Sequence, residues 1–240
     1  DEADAASLNT LINRNKKSSI NKYLDNIKNG ASSSIYLQVT GTPQAILLQT
    51  QVSGWHPYFT YYFAPGSGYL GGDFFFPKEK PDCITFIENL KTPAHDVVLR
   101  HLAVSALVEL GGGKVSNCLV HPSVRQASHD IFARDISKEL QWCKEHIDDE
   151  FKAEFTAVYD DLAPVKYSKA SVSDAFGKVK ELLTSNAVKI LIMNGKNAIS
   201  SDQYSTGANI VIGGNTLGRG VTFPSLHTIY YTRTAKKPQA

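Results

Sequence analysis

The chain opens on four residues that could bind a metal ion and activate water, Asp1-Glu2-Ala3-Asp4. Adjacent carboxylates at a strand end can divide the work of phosphoryl transfer, because one holds Mg²⁺ through water while the next orients the attacking water. An acidic string of this length is also typical of an exposed helix N-terminus, where negative charge interacts favourably with the helix dipole. These residues alone leave both interpretations open.

Two further strings follow segments with strand character. Ser34–Thr40 is rich in β-forming residues and stops at Gly41-Thr42-Pro43, which predicts a buried strand followed by a turn. The hydroxyls of Thr40 and Thr42 could relay a change at a γ-phosphate by exchanging hydrogen bonds. Residues 213–220 follow a second predicted strand, and their glycines allow the backbone to approach a phosphate or ribose closely. An ordinary strand-ending turn is the alternative in both cases.

Alternating strands and helices must position these three sequence motifs. A helix is predicted from Pro93 to the triple glycine at 111–113, which we take as a domain boundary. Beyond it, strands are predicted at 115–120, 188–193, 209–213 and 227–232, and helices at about 123–146 and 173–185. This alternation predicts an α/β fold whose mostly parallel sheet is covered on both faces, with its chemistry at the carboxyl ends of the strands.

The strings resemble a known family of motors. In this order, the acidic string, the Thr40 turn and the glycine string resemble the second, third and fifth motifs of the superfamily 2 helicase-like ATPases. Residues 210–222 (IVIGGNTLGRGVT) and 230–234 (YYTRT) also resemble the Z1 domain, where G-G-N-x-L-S-R-G-L-T precedes a Y-F-x-R-T strand. Residues 117–123 (NCLVHPS) resemble the M-L-V-H-x-S strand of that domain. Gly218 departs from the pattern, which has Ser there.

The resemblance implies two RecA-like lobes of the P-loop NTPase type, both truncated. Residues 1–92 would end the first lobe, 93–113 would form a connecting helix and glycine-rich linker, and 114–240 would form a second, Z1-type lobe without its C-terminal end. The implied activity is ATP hydrolysis with Mg²⁺, coupled to translocation on DNA or to activation of a nuclease subunit in a bacterial restriction system.

The same resemblance implies a role for each matching residue. Asp1 would hold Mg²⁺ through water, and Glu2 would orient the attacking water. The residues that would couple the lobes are Asp4, Thr40, Gly41 and Thr42. Those that would face the nucleotide are Gly214, Asn215, Arg219 and Gly220. Because the 240 residues contain no G-x-x-x-x-G-K-[S/T] phosphate loop, we expect this polypeptide alone to be inactive.

Three other functions compete with a motor. A RecA-like scaffold that hydrolyses nothing would keep the same fold. A metal-dependent nuclease is disfavoured, because the nearest pattern, Asp82 with Glu88 and Lys91, has its acid and lysine one residue too far apart to share a strand face. A zinc site would use the two C-x-x-H pairs, which are Cys118 with His121 and Cys143 with His146. The first pair lies on a predicted strand, where residues three apart point to opposite faces.

Composition limits the partners and the cellular compartment that we expect for the protein. A net charge of +2, from 25 basic and 23 acidic residues, gives no chain-wide attraction to nucleic acid, so any DNA contact must be local. The aromatic run at 58–63 is a possible stacking platform for a single strand, although core or interface packing is the commoner use of such runs. Three cysteines without a C-x-x-C pair favour a reducing compartment, so we expect a cytoplasmic protein. No apolar run is long enough for a membrane helix.

Overall fold

A computed structural model describes residues 3, 8, 9, 11, 14–41, 43, 44, 46, 47, 56–76, 78, 79, 84, 85, 87, 90–123, 125–162, 168–194, 199–214, 217 and 221–232. The chain forms two compact units, the first running to Tyr69 and the second beginning at Leu70. The division at residues 92 and 113 that the sequence suggests stays a prediction.

The first unit contains a helix, and it lacks the strand predicted over Ser34–Thr40. Helix α1 (Ser19–Gly30) begins after Ser18, whose side-chain oxygen accepts a hydrogen bond from the Asn21 amide. The prediction of a buried strand over Ser34–Thr40 is wrong: these residues lie outside any β-ladder, and the side chains of Ile35 and Leu37 are exposed. β-forming residues produce a strand only where a neighbouring strand and an apolar surface pack against them.

The second unit is an α/β domain. It begins with a single helical turn, α2 (Gly72–Phe75), and the long helix α3 (Pro93–Leu110). The remaining elements follow in the order β1 (Val115–His121), α4 (Gln126–Glu145), α5 (Glu150–Asp161), α6 (Val172–Thr184), β2 (Val188–Met193), a 3₁₀ turn (Ser201–Tyr204), β3 (Gly207–Gly213) and β4 (Leu226–Tyr231). Each helix and strand predicted beyond the triple glycine is confirmed to within a few residues. Helix α5 is not among the predicted elements.

The four strands form one parallel sheet in the order β2-β3-β1-β4. The predicted parallel pairing of the strand at 115–120 with the strand at 209–213 is confirmed, with Cys118 opposite Ile210 and Val120 opposite Ile212. Thus β1 and β3 are the inner strands, and each is buried along most of its length. Long apolar runs are typical of parallel strands with both faces covered.

Apolar clusters of unequal size lie on the two faces of the sheet. The larger cluster joins helices α3 to α6 to the strand residues Cys118, Val120, Ile210 and Ile212. The smaller cluster lies on the opposite face, where Leu119 and Val211 meet side chains from the connections between strands, namely Tyr204, Leu217, Val221 and Phe223. Since side chains alternate across a strand, neighbouring residues of β1 and β3 belong to different clusters.

Helix α3 lies at the centre of the helical layer. Pro93 occupies its first turn, where a missing amide hydrogen costs no intrahelical bond, and Gly111 follows its last residue. The helix is apolar on every side, and Val98, Leu102 and Ala106 are completely or almost completely buried. It contacts α4, α5 and α6 as well as β1 and β4.

An ionic hub joins three helices at the edge of this layer. His95 of α3 lies between two carboxylates: its Nδ1 is 2.8 Å from Glu139 Oε2 of α4, and its Nε2 is 2.8 Å from Glu154 Oε2 of α5. Because a carboxylate can only accept, both contacts are hydrogen bonds only when both ring nitrogens donate, so this geometry fits an imidazolium. Burial alone would lower the pKa of His95, but the hydrogen bonds to Glu139 and Glu154 together with their negative charges outweigh it, and the pKa is raised.

Candidate functional site at the carboxyl ends of β1 and β3

The order of the strands creates a crevice between β1 and β3. The connection that follows β1 contains α4, which packs on the larger cluster, whereas the connection that follows β3 contributes Leu217 and Phe223 to the cluster on the other face. Neighbouring parallel strands whose connections leave to opposite faces form a topological switch point, and ligands of open α/β sheets bind at the carboxyl ends there. The candidate site is therefore the edge where His121 and Gly213 end their strands.

The two adjacent glycines at the end of β3, Gly213 and Gly214, lie in close packing. A Cβ atom on Gly213 would lie 2.5 Å from the backbone oxygen of Met193 and 2.8 Å from the Leu217 side chain. A Cβ atom on Gly214 would lie 3.1 Å from His129 Cε1 and 3.3 Å from the backbone oxygen of Ser123. The turn thus comes close to the neighbouring strand end, and both glycines are buried there.

His129, in the first turn of α4, is the residue that Gly214 packs against. Its ring is buried, and its Nε2 donates a hydrogen bond to the Ser123 backbone oxygen at 2.8 Å. Its Nδ1 is buried and has no hydrogen-bond partner among the described residues. Ser123 supports the same helix end, because its Oγ accepts a hydrogen bond from the Arg125 amide at 3.2 Å.

His121 closes the other side of the crevice, beside β4. Its ring is buried and lies 4.9 Å from the ring of Tyr231, its partner across the β1–β4 ladder. The Thr232 hydroxyl donates to the Pro122 backbone oxygen at 2.7 Å and holds the chain after β4 against the chain after β1. Within the described part of the chain, Nδ1 of His121 has no hydrogen-bond partner.

A buried asparagine pair holds the opposite end of the same two strands. Asn209 Nδ2 donates to Asn117 Oδ1 at 2.9 Å, and Asn117 Nδ2 donates to the Tyr204 backbone oxygen at 3.0 Å. Asn117 also donates to the Pro224 backbone oxygen, so the pair ties down the connections on either side of β3. This end of the sheet is therefore filled by structural hydrogen bonds, which leaves the carboxyl end for a ligand.

A cavity of about 720 Å³ in the second unit runs along β4 and α3. Its lining includes Ile84, Ile87, Val97, Arg100, Thr228 and Tyr230. Arg100 Nη1 donates to Asp161 Oδ2 at 3.0 Å. Arg100 Nε and Thr228 Oγ1 are buried without hydrogen-bond partners among the described residues. Gly214, the described residue among those predicted to face the nucleotide, does not line this cavity.

The structure describes three of the site residues predicted from the sequence. Gly214 lies at the switch point, whereas Thr40 and Gly41 belong to the first unit. The other predicted residues lie outside the described part of the chain; they are Asp1, Glu2, Asp4, Thr42, Asn215, Arg219 and Gly220. Sequence reasoning missed His129, because a histidine in the first turn of a helix has no pattern that separates it from a core residue.

One contact in the first unit connects two of the predicted motifs. The backbone amide of Ala3 donates to the Val39 backbone oxygen at 3.0 Å, and Ala3 is buried. Ala3 is the third residue of the acidic string, and Val39 immediately precedes Thr40. Ala3 and Val39, although distant in sequence, are thus neighbours in the first unit.

The structure describes only some of the residues on which the competing functions depend. Burial raises the pKa of the Cys118 thiol, and burial also raises the pKa of Cys143 to about 12. His146 Nδ1 is 2.9 Å from the Trp142 backbone oxygen. The described residues contain no group of three or more potential metal-ligating side chains, and Asp82 and Glu88 of the nuclease pattern are not among them.

Two other sequence expectations bear on partners. The aromatic side chains between Tyr58 and Phe63 are exposed, so this run does not pack in a core, and its use at an interface or as a stacking platform stays a prediction. Within the described ranges, no helix combines the length and apolar character that a membrane crossing requires.

The second unit matches a known family. The family model described as the Z1 domain matches residues 96–239, which is more than half of the chain. The match begins in α3 and includes the whole parallel sheet. No curated protein and no solved structure matches the chain.

Proposed function

The chain belongs to the Z1 domain family, and from that premise we propose that it is the core of a nucleic-acid-dependent ATPase with two RecA-like lobes. The proposed motor serves a bacterial restriction or DNA-defence system, in which ATP hydrolysis drives translocation on DNA or activates a partner nuclease. We infer a cytoplasmic location for it. The observation that carries this proposal is the switch point between β1 and β3, where a glycine turn packs against the neighbouring strand end.

The switch point suits the phosphates and ribose of a nucleotide. Gly213 and Gly214 bring backbone close to the start of α4, whose N-terminal amide dipoles favour an anion. The first turn of α4 contains no acidic residue that would oppose one. In the proposed site, Asn215, Arg219 and Gly220 continue this surface after β3, and Arg219 supplies a positive charge.

In the first unit, the contact between Ala3 and Val39 supports the motor assignment. In the proposed mechanism, Glu2 orients the attacking water and Asp1 holds Mg²⁺ through a second water. Bound Mg²⁺ would neutralise charge on the β- and γ-phosphates. Because Ala3 is hydrogen-bonded next to Thr40, a shift of the acidic string on loss of the γ-phosphate would be passed directly to the Thr40 turn. Asp4, Gly41 and Thr42 complete this coupling region in the proposal.

The proposal requires a phosphate loop that lies outside these 240 residues. The test therefore uses the intact gene product. Glu2→Gln should leave nucleotide affinity nearly unchanged and lower the DNA-stimulated ATPase rate to less than about a tenth of wild type, because an amide cannot act as the base. Asp1→Ala should weaken both Mg²⁺-dependent nucleotide binding and the rate. Glu79→Gln, which removes one exposed carboxylate, is the matched control and should change neither.

An inactive RecA-like scaffold predicts a different outcome. In that case the wild-type protein shows no DNA-stimulated hydrolysis, and neither acidic substitution has a kinetic effect. A rate for Glu2→Gln close to that of Glu79→Gln would likewise exclude the assignment of the acidic string.

A further inference from the structure

Building on the proposed function, we propose that His129 is the positioning residue of the nucleotide-facing turn: it holds Gly214 at a set distance from the end of β1. The ring of His129 lies buried in the first turn of α4, and no sequence motif singles it out. Its Nε2 is hydrogen-bonded to the Ser123 backbone oxygen, and a Cβ on Gly214 would meet the same ring.

The geometry gives His129 one orientation. Because the Ser123 backbone oxygen can only accept, the Nε2 of His129 carries the proton and donates at 2.8 Å. This hydrogen bond turns the ring edge toward Gly214, where an added Cβ would lie 3.1 Å from Cε1 and 3.2 Å from Nε2. A side chain at position 214 would therefore require the His129 ring to give way by a few tenths of an ångström.

The position in the sheet explains why such a contact is needed. The ladder between β1 and β3 ends with Val120 opposite Ile212, so Ser123 and Gly214 both lie beyond the last paired residues. Past that point, backbone hydrogen bonds between the strands no longer set the distance between the two chain ends. His129 is hydrogen-bonded to the end that follows β1, it is the side chain that a Cβ on Gly214 would meet, and it is anchored by the long helix α4.

A role in filling the core alone makes different predictions. A core histidine would affect the stability of the fold without changing the affinity of a folded protein for nucleotide. A positioning residue also changes KM for ATP more than kcat, because a displaced turn weakens binding of the ground state. The effects of substitutions at His129 and at Gly214 are also expected to be coupled, since removing the ring makes room for a side chain at position 214.

The experiment is a double-mutant cycle with two readouts. Urea unfolding of the 240-residue chain, followed by circular dichroism, compares Gly214→Ala, His129→Ala and the double variant. If the two substitutions acted independently, the unfolding constant of the double variant would follow from multiplying the two single effects. We expect a constant at least about threefold smaller than that value, because the alanine methyl group fills space left by the ring. Additive effects would overturn the proposal.

The second readout is the ATPase of the intact protein. We expect Gly214→Ala and His129→Ala each to raise KM for ATP about tenfold with a smaller effect on kcat, and the double variant to recover part of that loss. His129→Gln, whose amide can still donate to the Ser123 oxygen, should stay within about threefold of wild type. His146→Ala, a substitution near the other end of α4, is the control and should leave KM unchanged.

The two readouts separate the two proposals. If wild-type protein hydrolyses no ATP while the unfolding cycle shows the expected coupling, the proposed function fails and the positioning contact stands. If ATP is hydrolysed but His129→Ala leaves KM at the wild-type value, the positioning role is refuted and the motor assignment is not.

Discussion

Replacing His95 with glutamine should destabilise the chain at pH 6 by more than at pH 9. In the wild type, the imidazolium donates hydrogen bonds to two carboxylates, and a hydrogen bond to a charged group contributes about 1.5–3 kcal/mol. The side chains of His95, Glu139 and Glu154 are 19%, 30% and 46% exposed. Solvent screening therefore reduces the combined contribution, and we expect a loss of about 1–2 kcal/mol at pH 6.

The sign of the pH dependence follows from the raised pKa of His95. A group whose pKa is higher in the folded chain stabilises it fully below the unfolded pKa, which is 6.5 for histidine, and loses that contribution as pH rises through the folded value. The difference between wild type and His95→Gln should therefore shrink from pH 6 to pH 9. Above the folded pKa, the neutral ring keeps only one donor for the two carboxylates.

Urea unfolding at several pH values between about 6 and 9 measures this difference. His146→Gln is the matched control, because His146 is hydrogen-bonded to a backbone oxygen and should give a difference that does not vary with pH in the same way. A destabilisation by His95→Gln that is the same at pH 6 and pH 9 would refute the imidazolium assignment.

Three other outcomes are expected. Gly213→Ala should destabilise the chain by about 2–3 kcal/mol in urea unfolding, because its Cβ would meet the Met193 backbone oxygen, whereas Gly177→Ala, at an open helical position, should be neutral or stabilising. Cys118 and Cys143 should resist iodoacetamide in the folded chain and react after unfolding, as mapped by mass spectrometry, because both thiols are buried and their pKa values are raised. The isolated 240-residue polypeptide should not hydrolyse ATP in a phosphate-release assay, and ATP binding with micromolar affinity in calorimetry would contradict the need for a phosphate loop.

The sequence predicts the second unit well because its local signals agree with one another. Pro93 and the glycines after Leu110 mark both ends of α3, and the apolar runs of β1 and β3 are typical of inner parallel strands. Helix α5 was missed even though Phe151, Phe155 and Tyr159 recur at helical spacing. Its 12 residues lie between two stronger helical patterns, and only packing against α3 and α6 distinguishes it from a loop.

The candidate site was predicted only in part. Two adjacent glycines at the end of a predicted strand are visible in sequence, and they led directly to Gly214. The reason for that glycine is a ring that lies 85 positions earlier in the chain, and pattern analysis within a short window contains no information about such a contact. The strand predicted over Ser34–Thr40 failed for the same reason, because pairing depends on neighbours that propensity does not specify.

The order of the strands has a consequence for how the chain folds as it is synthesised. Strand β1 is made first but pairs only with β3 and β4, and the partner of its residue Asn117, Asn209, comes 92 residues later. Closing so long a loop is slow. Until β3 emerges from the ribosome, the apolar faces and unpaired edges of β1 can bind wrong partners. Helices α3 and α4, which flank β1 in sequence and pack against each other, can form during that interval and cover one of its faces. A pause in translation after β2 would therefore lengthen the aggregation-prone stage, whereas a pause after β4 would not.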